Sequence, residues 1–132
     1  MTECPEGFLY STRHMWVKLD QEQFTALIGM AEDLTERLST IVSVDLPMIG
    51  DELEIDTDCL HLHLENGIKP LYAPLSGRVV EINRYVLDEP ASIPLAPYEN
   101  YLFVMEYDES SELDLLLSPT RYAIYLDEIE GP

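Results

Sequence analysis

Alternating apolar and polar residues predict a β-hairpin near the middle of the chain. Leucines alternate with polar residues from Cys59 to Glu65, the pattern of a half-buried strand, and a second strand returns through Leu71. Asn66 and Gly67 both tolerate the positive φ of a type I′ turn. We therefore predict a hairpin whose two turn residues are Asn66 and Gly67.

Several other segments also have the composition of strands. The predicted strands are residues 8–19, 23–29, 40–46 and 101–107, all rich in β-branched, aromatic or alternating apolar residues. Apolar residues at helical spacing predict one short amphipathic helix over residues 30–39. Residues 85–101 contain three prolines, which exclude a long helix or a central strand. The predicted chain is mostly β.

The end of the chain has the signals of helix starts. Ser111 is followed three residues later by Asp114, a capping-box pattern. Ser118 then precedes Pro119, which is typical of an N-cap followed by proline at the first helical position. We predict helical structure on both sides of Ser118.

Two ten-residue segments resemble each other, at residues 46–55 and 73–82. Each has proline, glycine three places later and a terminal Glu-Ile, so turn chemistry precedes an apolar strand in both. Such a repeat predicts two similar half-sheets with the hairpin as an excursion between them. The paired residues are Pro47, Gly50, Glu54 and Ile55 with Pro74, Gly77, Glu81 and Ile82.

Charge and length restrict the class of protein. The net charge is −19, from 26 acidic and 7 basic residues, which disfavours nucleic acid and anionic membranes as partners. Such a surface suits basic protein partners, and it equally suits simple solubility. The 132 residues fit one domain over 1–132, with residues 1–7 as a flexible leader. With no apolar run of about 18 residues and no signal-peptide pattern, a cytoplasmic protein is expected.

The polar residues of the first hairpin strand raise the question of metal binding. Strand periodicity puts Cys59, His61, His63 and Glu65 on one face, and such residues can ligate zinc. A polar face over a leucine face is also how an ordinary edge hairpin looks, and no fourth ligand is evident. We therefore predict no metal site, no catalytic residue, and free thiols at Cys4 and Cys59.

Four motifs, in order and spacing, resemble the H protein of the glycine cleavage system. They are His14-x-Trp16-Val17, Val44-Asp45-Leu46-Pro47, Ala73-Pro74-x-Ser76-Gly77 and Val79-Val80-Glu81-Ile82-Asn83, within a resemblance from about Phe8 to Leu126. The resemblance implies a lipoyl-domain-like barrel-sandwich hybrid of two antiparallel sheets, with a short inner helix and C-terminal helices. It also implies a carrier that is not itself an enzyme.

In that family, the hairpin carries a lysine at its tip, to which lipoate is attached as an amide. Counting back without gaps from Leu71-Tyr72-Ala73-Pro74, the family's lysine position falls on Asn66. An asparagine amide is not a nucleophile and cannot be lipoylated. The resemblance therefore implies that the hairpin is kept and that its attachment point is missing.

Three further family positions have lost an acid. His63 stands where the resemblance implies a glutamate read by the attaching enzyme. Met15 and Pro70 stand where it implies a glutamate and an aspartate that hold the cationic aminomethylated arm in a surface cleft. Neither Met nor Pro offers a charge or a side-chain oxygen acceptor.

Only two lysines remain as candidates for attachment. Lys18 follows the Trp16-Val17 strand, and Lys69 lies three residues beyond Asn66. Moving Lys69 to the tip would discard the Asn-Gly turn signal, yet attachment at Lys69 stays open as an alternative. The leading interpretation is a non-lipoylated binding or accessory protein whose partners belong to a lipoyl or redox system, with no cofactor of its own. The alternative is a lipoyl carrier modified on Lys69, and a zinc module is a third.

Overall fold

The computed structural model describes residues 7–130, with the backbone alone at residue 130. The strands are β1 (Leu9–Tyr10), β2 (Met15–Asp20), β3 (Thr25–Met30), β4 (Ile41–Asp45), β5 (Glu52–Leu53), β6 (Asp58–Leu64), β7 (Gly67–Tyr72), β8 (Gly77–Ile82) and β9 (Phe103–Tyr107). The helices are α1 (Glu32–Glu36), α2 (Arg84–Asp88), α3 (Ser92–Leu95) and α4 (Pro119–Glu130), and a 3₁₀ segment covers Ser110–Leu115. Of the leader predicted over residues 1–7, only residue 7 is among the described residues, and the thiol of Cys4 lies outside them.

The strands form two antiparallel sheets, as predicted. Six strands make the larger sheet in the order β1-β2-β3-β9-β8-β5, and β4-β6-β7 make the smaller one. Apolar residues of both sheets, such as Ile28 and Met105 in the larger and Leu62 and Leu71 in the smaller, form one buried core. The mostly-β fold class and the two-sheet architecture are therefore confirmed. Among the described helices, none has the length and apolar character needed to cross a membrane.

A second, aromatic cluster joins α4 to the outer part of the larger sheet. Trp16 is buried, and its indole Nε1 donates a 2.9 Å hydrogen bond to the Pro97 carbonyl. Tyr10 stacks on Tyr122 of α4 with ring centroids 4.3 Å apart. Burial of these large rings holds α4 against β1 and β2.

The prediction of one strand over residues 8–19 was wrong, because a tight turn divides it. Ser11 Oγ accepts hydrogen bonds from the backbone N–H of Arg13 and of Met15, both at 3.2 Å. His14 has a φ of 69° in this turn. The serine hydroxyl therefore replaces strand pairing over residues 11–14 and separates β1 from β2.

The sequence repeat does not produce two similar half-sheets, which corrects that expectation. Its two copies contribute β5 and β8, which pair with each other inside the larger sheet, Glu52 opposite Arg78 and Leu53 opposite Gly77. The hairpin between them belongs to the smaller sheet. At Gly77 a Cβ would collide with the backbone carbonyl of Glu106, so this copy needs glycine for close strand approach.

The hairpin turn lies one residue earlier than predicted. Leu64 pairs with Gly67, so Glu65 and Asn66 are the turn residues. Neither of them has a positive φ, whereas Gly67 has a φ of 144° as the first residue of β7. The type I′ assignment to Asn66 and Gly67 was therefore wrong, and only the glycine uses its conformational freedom.

The capping box predicted at Ser111 is not formed. The segment is 3₁₀ rather than α, begins after Glu109 and has no side-chain cap. The Glu112 carboxylate instead accepts hydrogen bonds from the backbone N–H and the hydroxyl of Ser76, both at 2.8 Å. The N-cap at Ser118 is confirmed, since its hydroxyl accepts from the backbone N–H of Arg121 at 3.2 Å.

Candidate functional site

The tip of the β6–β7 hairpin presents Asn66 at an exposed position. Its side-chain Oδ1 accepts a 2.7 Å hydrogen bond from the hydroxyl of Ser39, and the backbone N–H of Glu65 donates to the Thr40 carbonyl at 3.1 Å. The tip is thus tied to the segment before β4. It displays a neutral amide, which has no acid–base or nucleophilic chemistry of its own.

Lys69 does not lie at the tip. It stands opposite Leu62 in the β6–β7 ladder, and directly opposed residues of antiparallel strands share a face. Leu62 is fully buried, so the half-buried Lys69 starts from the inner face of the smaller sheet. Lys69 is also one of the residues that line a pocket beside the core residues Leu34 and Leu71.

This pocket, called here the polar cleft, has a volume of about 380 Å³. It lies between the β1–β2 turn, β7 and α4, and its walls are Thr12, Arg13, His14, Leu34, Lys69, Pro70, Leu71, Tyr72 and Tyr125. The Arg13 guanidinium lies 4.6 Å from the centroid of the Tyr72 ring, a cation–π contact. The Tyr125 hydroxyl donates to the Thr12 carbonyl at 3.1 Å and links α4 to the turn.

A buried carboxylate fixes one wall of the polar cleft. Asp33 is only 3% exposed, and its Oδ1 accepts a 2.6 Å hydrogen bond from the Tyr122 hydroxyl. His14 Nδ1 lies 2.9 Å from Asp33 Oδ2, and Arg37 Nη2 lies 3.2 Å from the same oxygen. Burial raises the pKa of Asp33, but these hydrogen bonds and the charges of His14 and Arg37 together hold it below its usual value.

Sequence reasoning missed Asp33 and Tyr122. The only local signal was Asp33 in the first turn of a short helix with Arg37 four residues later, which is a common surface pair. Tyr122 is 89 residues away from Asp33 in the chain, and only folding joins them.

The three positions at which the resemblance implies an acid have different surroundings. Met15 is fully buried in the apolar core, so it does not line the polar cleft. Pro70 does line the cleft. His63 lies on the outer face of the smaller sheet, where its Nε2 is 2.6 Å from Asp45 Oδ2.

The four polar residues of β6 do not form the shared face that strand periodicity predicted. A bulge between Asp58 and Leu60 shifts the register, and Cys59 packs against the apolar core. Burial raises the pKa of its thiol to about 12. His61 Nε2 lies 3.5 Å from Asp58, while His63 pairs with Asp45. Within residues 7–129, whose side chains are described, no three such groups are placed to hold a metal ion.

Comparison with known proteins identifies the relatives of this chain. A family model described as "Glycine cleavage H-protein" matches residues 8–129. A glycine cleavage system H protein of Oceanobacillus iheyensis is 38% identical over 94% of this chain and 98% of its own length. The H protein of Photorhabdus laumondii is 33% identical over 98% of this chain and 100% of its own length.

A solved structure agrees with the sequence relatives. The crystal structure of a glycine cleavage system H protein from Mycobacterium marinum superposes with a TM-score of 0.79 at 26% identity, over 90% of this chain and 95% of that one. Family model, relatives and structure therefore cover nearly the whole chain. Proteins of this kind are lipoyl carriers that interact with the other glycine cleavage enzymes and are not themselves catalysts. The chain belongs to the glycine cleavage H-protein family.

Proposed function

We propose that this chain is a non-lipoylated member of the H-protein family that acts as a binding or accessory protein. The observation that carries the proposal is Asn66, an amide at the exposed tip where the resemblance implies the acceptor lysine. The hairpin itself is kept, with β6 and β7 paired up to Leu64 and Gly67. A paired hairpin without an amine at its tip fits a protein that meets the family's partners without carrying a shuttled group.

Surroundings of the tip support the same proposal. Ser39 holds the Asn66 side chain at 2.7 Å, an arrangement that suits a fixed amide rather than a swinging arm. His63 stands where the resemblance implies an acid read by the attaching enzyme, and it is already paired with Asp45. Protein partners of a lipoyl or redox system therefore remain the proposed partners, with no cofactor on the chain.

The second candidate is a lipoyl carrier modified on Lys69. In its favour, Lys69 is a primary amine three residues past the tip, the chemical group that amide formation needs. Against it, Lys69 is half-buried in β7 and starts from the inner face of the sheet. An attaching enzyme would have to reach an amine that lies away from the hairpin tip, on a residue that lines the polar cleft.

Mass spectrometry of the protein purified from its native cells tests the proposal. We expect the intact mass of the unmodified chain, and peptide mapping should find Lys69 and Lys18 free. The lipoyl proteins of the same cells serve as the control, because they must be modified in the same preparation. A lipoyl amide mapped to Lys69 would overturn the proposal and establish the carrier.

A further inference from the structure

The polar cleft differs in charge from the rest of this acidic protein. Its walls include Arg13, Lys69 and His14, although lysines and arginines together number only 7 in the chain and histidines only 3. No aspartate or glutamate is among its nine described lining residues, whereas the whole chain has 26 acids. The charges of Arg13 and Lys69 therefore meet no carboxylate among the lining residues, whereas His14 pairs with the buried Asp33.

Arg13 and Lys69 also have no acidic partner among the described residues. The ion pairs that involve arginine join Arg37 to Asp33 and Arg78 to Glu106. His14 differs from Arg13 and Lys69, since its Nδ1 is already engaged by Asp33. Two cations that face one pocket and lack a carboxylate partner are placed to receive an external anion.

The geometry of Arg13 suits such a ligand. Its guanidinium lies over the Tyr72 ring at 4.6 Å, a contact that limits its motion and leaves its N–H edges available. Thr12 and Tyr72 also line the cleft, and each carries an uncharged hydroxyl. The volume of about 380 Å³ is at the small end of the range for ligand pockets.

We propose that the polar cleft binds a small oxyanion, a carboxylate or a phosphate, between the Arg13 guanidinium and the Lys69 ammonium. The proposal rests on the proposed function in one respect, since an amide on Lys69 would remove one of the two charges. It goes beyond that function because it gives the cleft a ligand of defined charge. It also reverses the charge preference that the resemblance implies at Pro70, which lines this cleft and where an aspartate would have favoured a cation.

Two-dimensional NMR of the recombinant protein, shown by intact mass to be unmodified, tests the site. Inorganic phosphate and succinate are titrated separately in Tris-chloride at constant ionic strength. We expect saturable shifts of the backbone amides of Arg13, Lys69 and Tyr72 with at least one probe. The probe that binds more tightly decides between a phosphate and a carboxylate.

Matched variants assign the binding to the two cations. Arg13→Gln and Lys69→Gln should each weaken binding about tenfold, the usual effect of losing one charge-assisted hydrogen bond. The control variants are Arg84→Gln, on α2, and Lys18→Gln, on β2, which each remove one positive charge outside the cleft. They should leave the affinity for the anion within about twofold of that of the unmodified protein.

The contradicting results are equally specific. Absence of saturable shifts with both probes overturns the site, as does equal weakening by the control variants. Circular dichroism of each variant shows whether the fold is kept, and the exposed position of Arg13 makes Arg13→Gln the safer of the two substitutions. Lipoate found on Lys69 in native cells would refute the proposed function, whereas failure of these titrations refutes the anion site alone.

Discussion

At the scale of single residues, Asp33 connects three separate elements of the site. It belongs to α1, its oxygens meet His14 of the β1–β2 turn and Tyr122 of α4, and Arg37 lies beside it. A buried carboxylate is stable only when its oxygens are satisfied in this way. Asp33 and the Tyr122 hydroxyl, which lies 3.0 Å from His14 Nδ1, together hold His14 at one wall of the polar cleft.

We expect Asp33→Asn to destabilise the protein by roughly 1–3 kcal/mol at neutral pH, because it loses hydrogen bonds to a charged group. The pKa of Asp33 in the folded protein is lower than its pKa in the unfolded protein, which is near 3.8. The unfolded chain therefore binds the proton more readily, and the contribution of Asp33 is present above about pH 4 and is lost as the pH falls through the folded pKa.

Urea unfolding of both proteins between acidic and neutral pH measures this contribution. The difference in unfolding free energy should be constant near neutrality and shrink below about pH 4. Asp127→Asn, an exposed aspartate of α4, is the matched control and should change little. A difference that does not vary with pH would contradict the role given to the charged form.

At the scale of elements, the β6–β7 hairpin is a complete display scaffold with a neutral tip. Its strands are paired, its turn is exposed, and its tip residue is the asparagine Asn66. We expect Asn66→Lys, in a Lys69→Ala background, to accept lipoate from a lipoyl-attaching enzyme. After co-expression with that enzyme, intact mass and peptide mapping measure whether the lysine introduced at position 66 carries lipoate.

The same experiment can separate the effect of residue 66 on lipoate attachment from the effect of residue 63. Adding His63→Glu should increase the modified fraction, because the resemblance implies that the attaching enzyme reads an acid there. Asn66→Gln in the same background is the matched control and should stay unmodified, since it supplies no amine. An unmodified Asn66→Lys/His63→Glu protein would show that the hairpin is no longer an acceptable scaffold.

At the scale of the whole molecule, the net charge of −19 means that acidic side chains repel one another, and few ion pairs offset this repulsion. Five ion pairs are present among the described residues, including Arg78 with Glu106 and His63 with Asp45. Most acidic side chains therefore face solvent and one another. Such self-repulsion opposes the compact state.

Salt should therefore stabilise this protein. Raising the ionic strength from about 0.01 M to 1 M shortens the Debye length from roughly 30 Å to 3 Å and screens the repulsion. A gain of about 1 kcal/mol raises the Tm of a domain of this size by roughly 4 °C, and we expect at least that rise in NaCl. Calorimetry with NaCl and with KCl makes the measurement, and a Tm that is flat or falls with salt would contradict it.

Local patterns in the sequence were sufficient for much of the fold. The leucine alternation of β6 placed the hairpin, and Ser118-Pro119 marked the start of α4. One failed prediction depended on a distant partner, because Glu112 bonded Ser76 in place of the predicted capping box. Another failed for a local reason, because the Ser11 hydroxyl bonds the backbone of Arg13 and Met15 and divides one predicted strand into two.

The turn of the hairpin shows why local preference was not enough. Asn66-Gly67 satisfies a type I′ turn by itself, yet the ladder pairs Leu62 with Lys69 and so makes Glu65 and Asn66 the turn residues. Register is decided by which side chains face the core, and Leu62 is fully buried. A one-residue difference in the turn is therefore settled by packing.

The sequence by itself determined the family, the β6–β7 hairpin and the amide at Asn66, because these depend on residue identity and short spacing. Only the tertiary structure decided that Arg13, Lys69 and Tyr125 share one cleft and that Asp33 meets Tyr122. Those residues lie far apart in the chain. The physical reason is that closure of the two sheets and docking of α4, both driven by burial of apolar and aromatic side chains, bring them together.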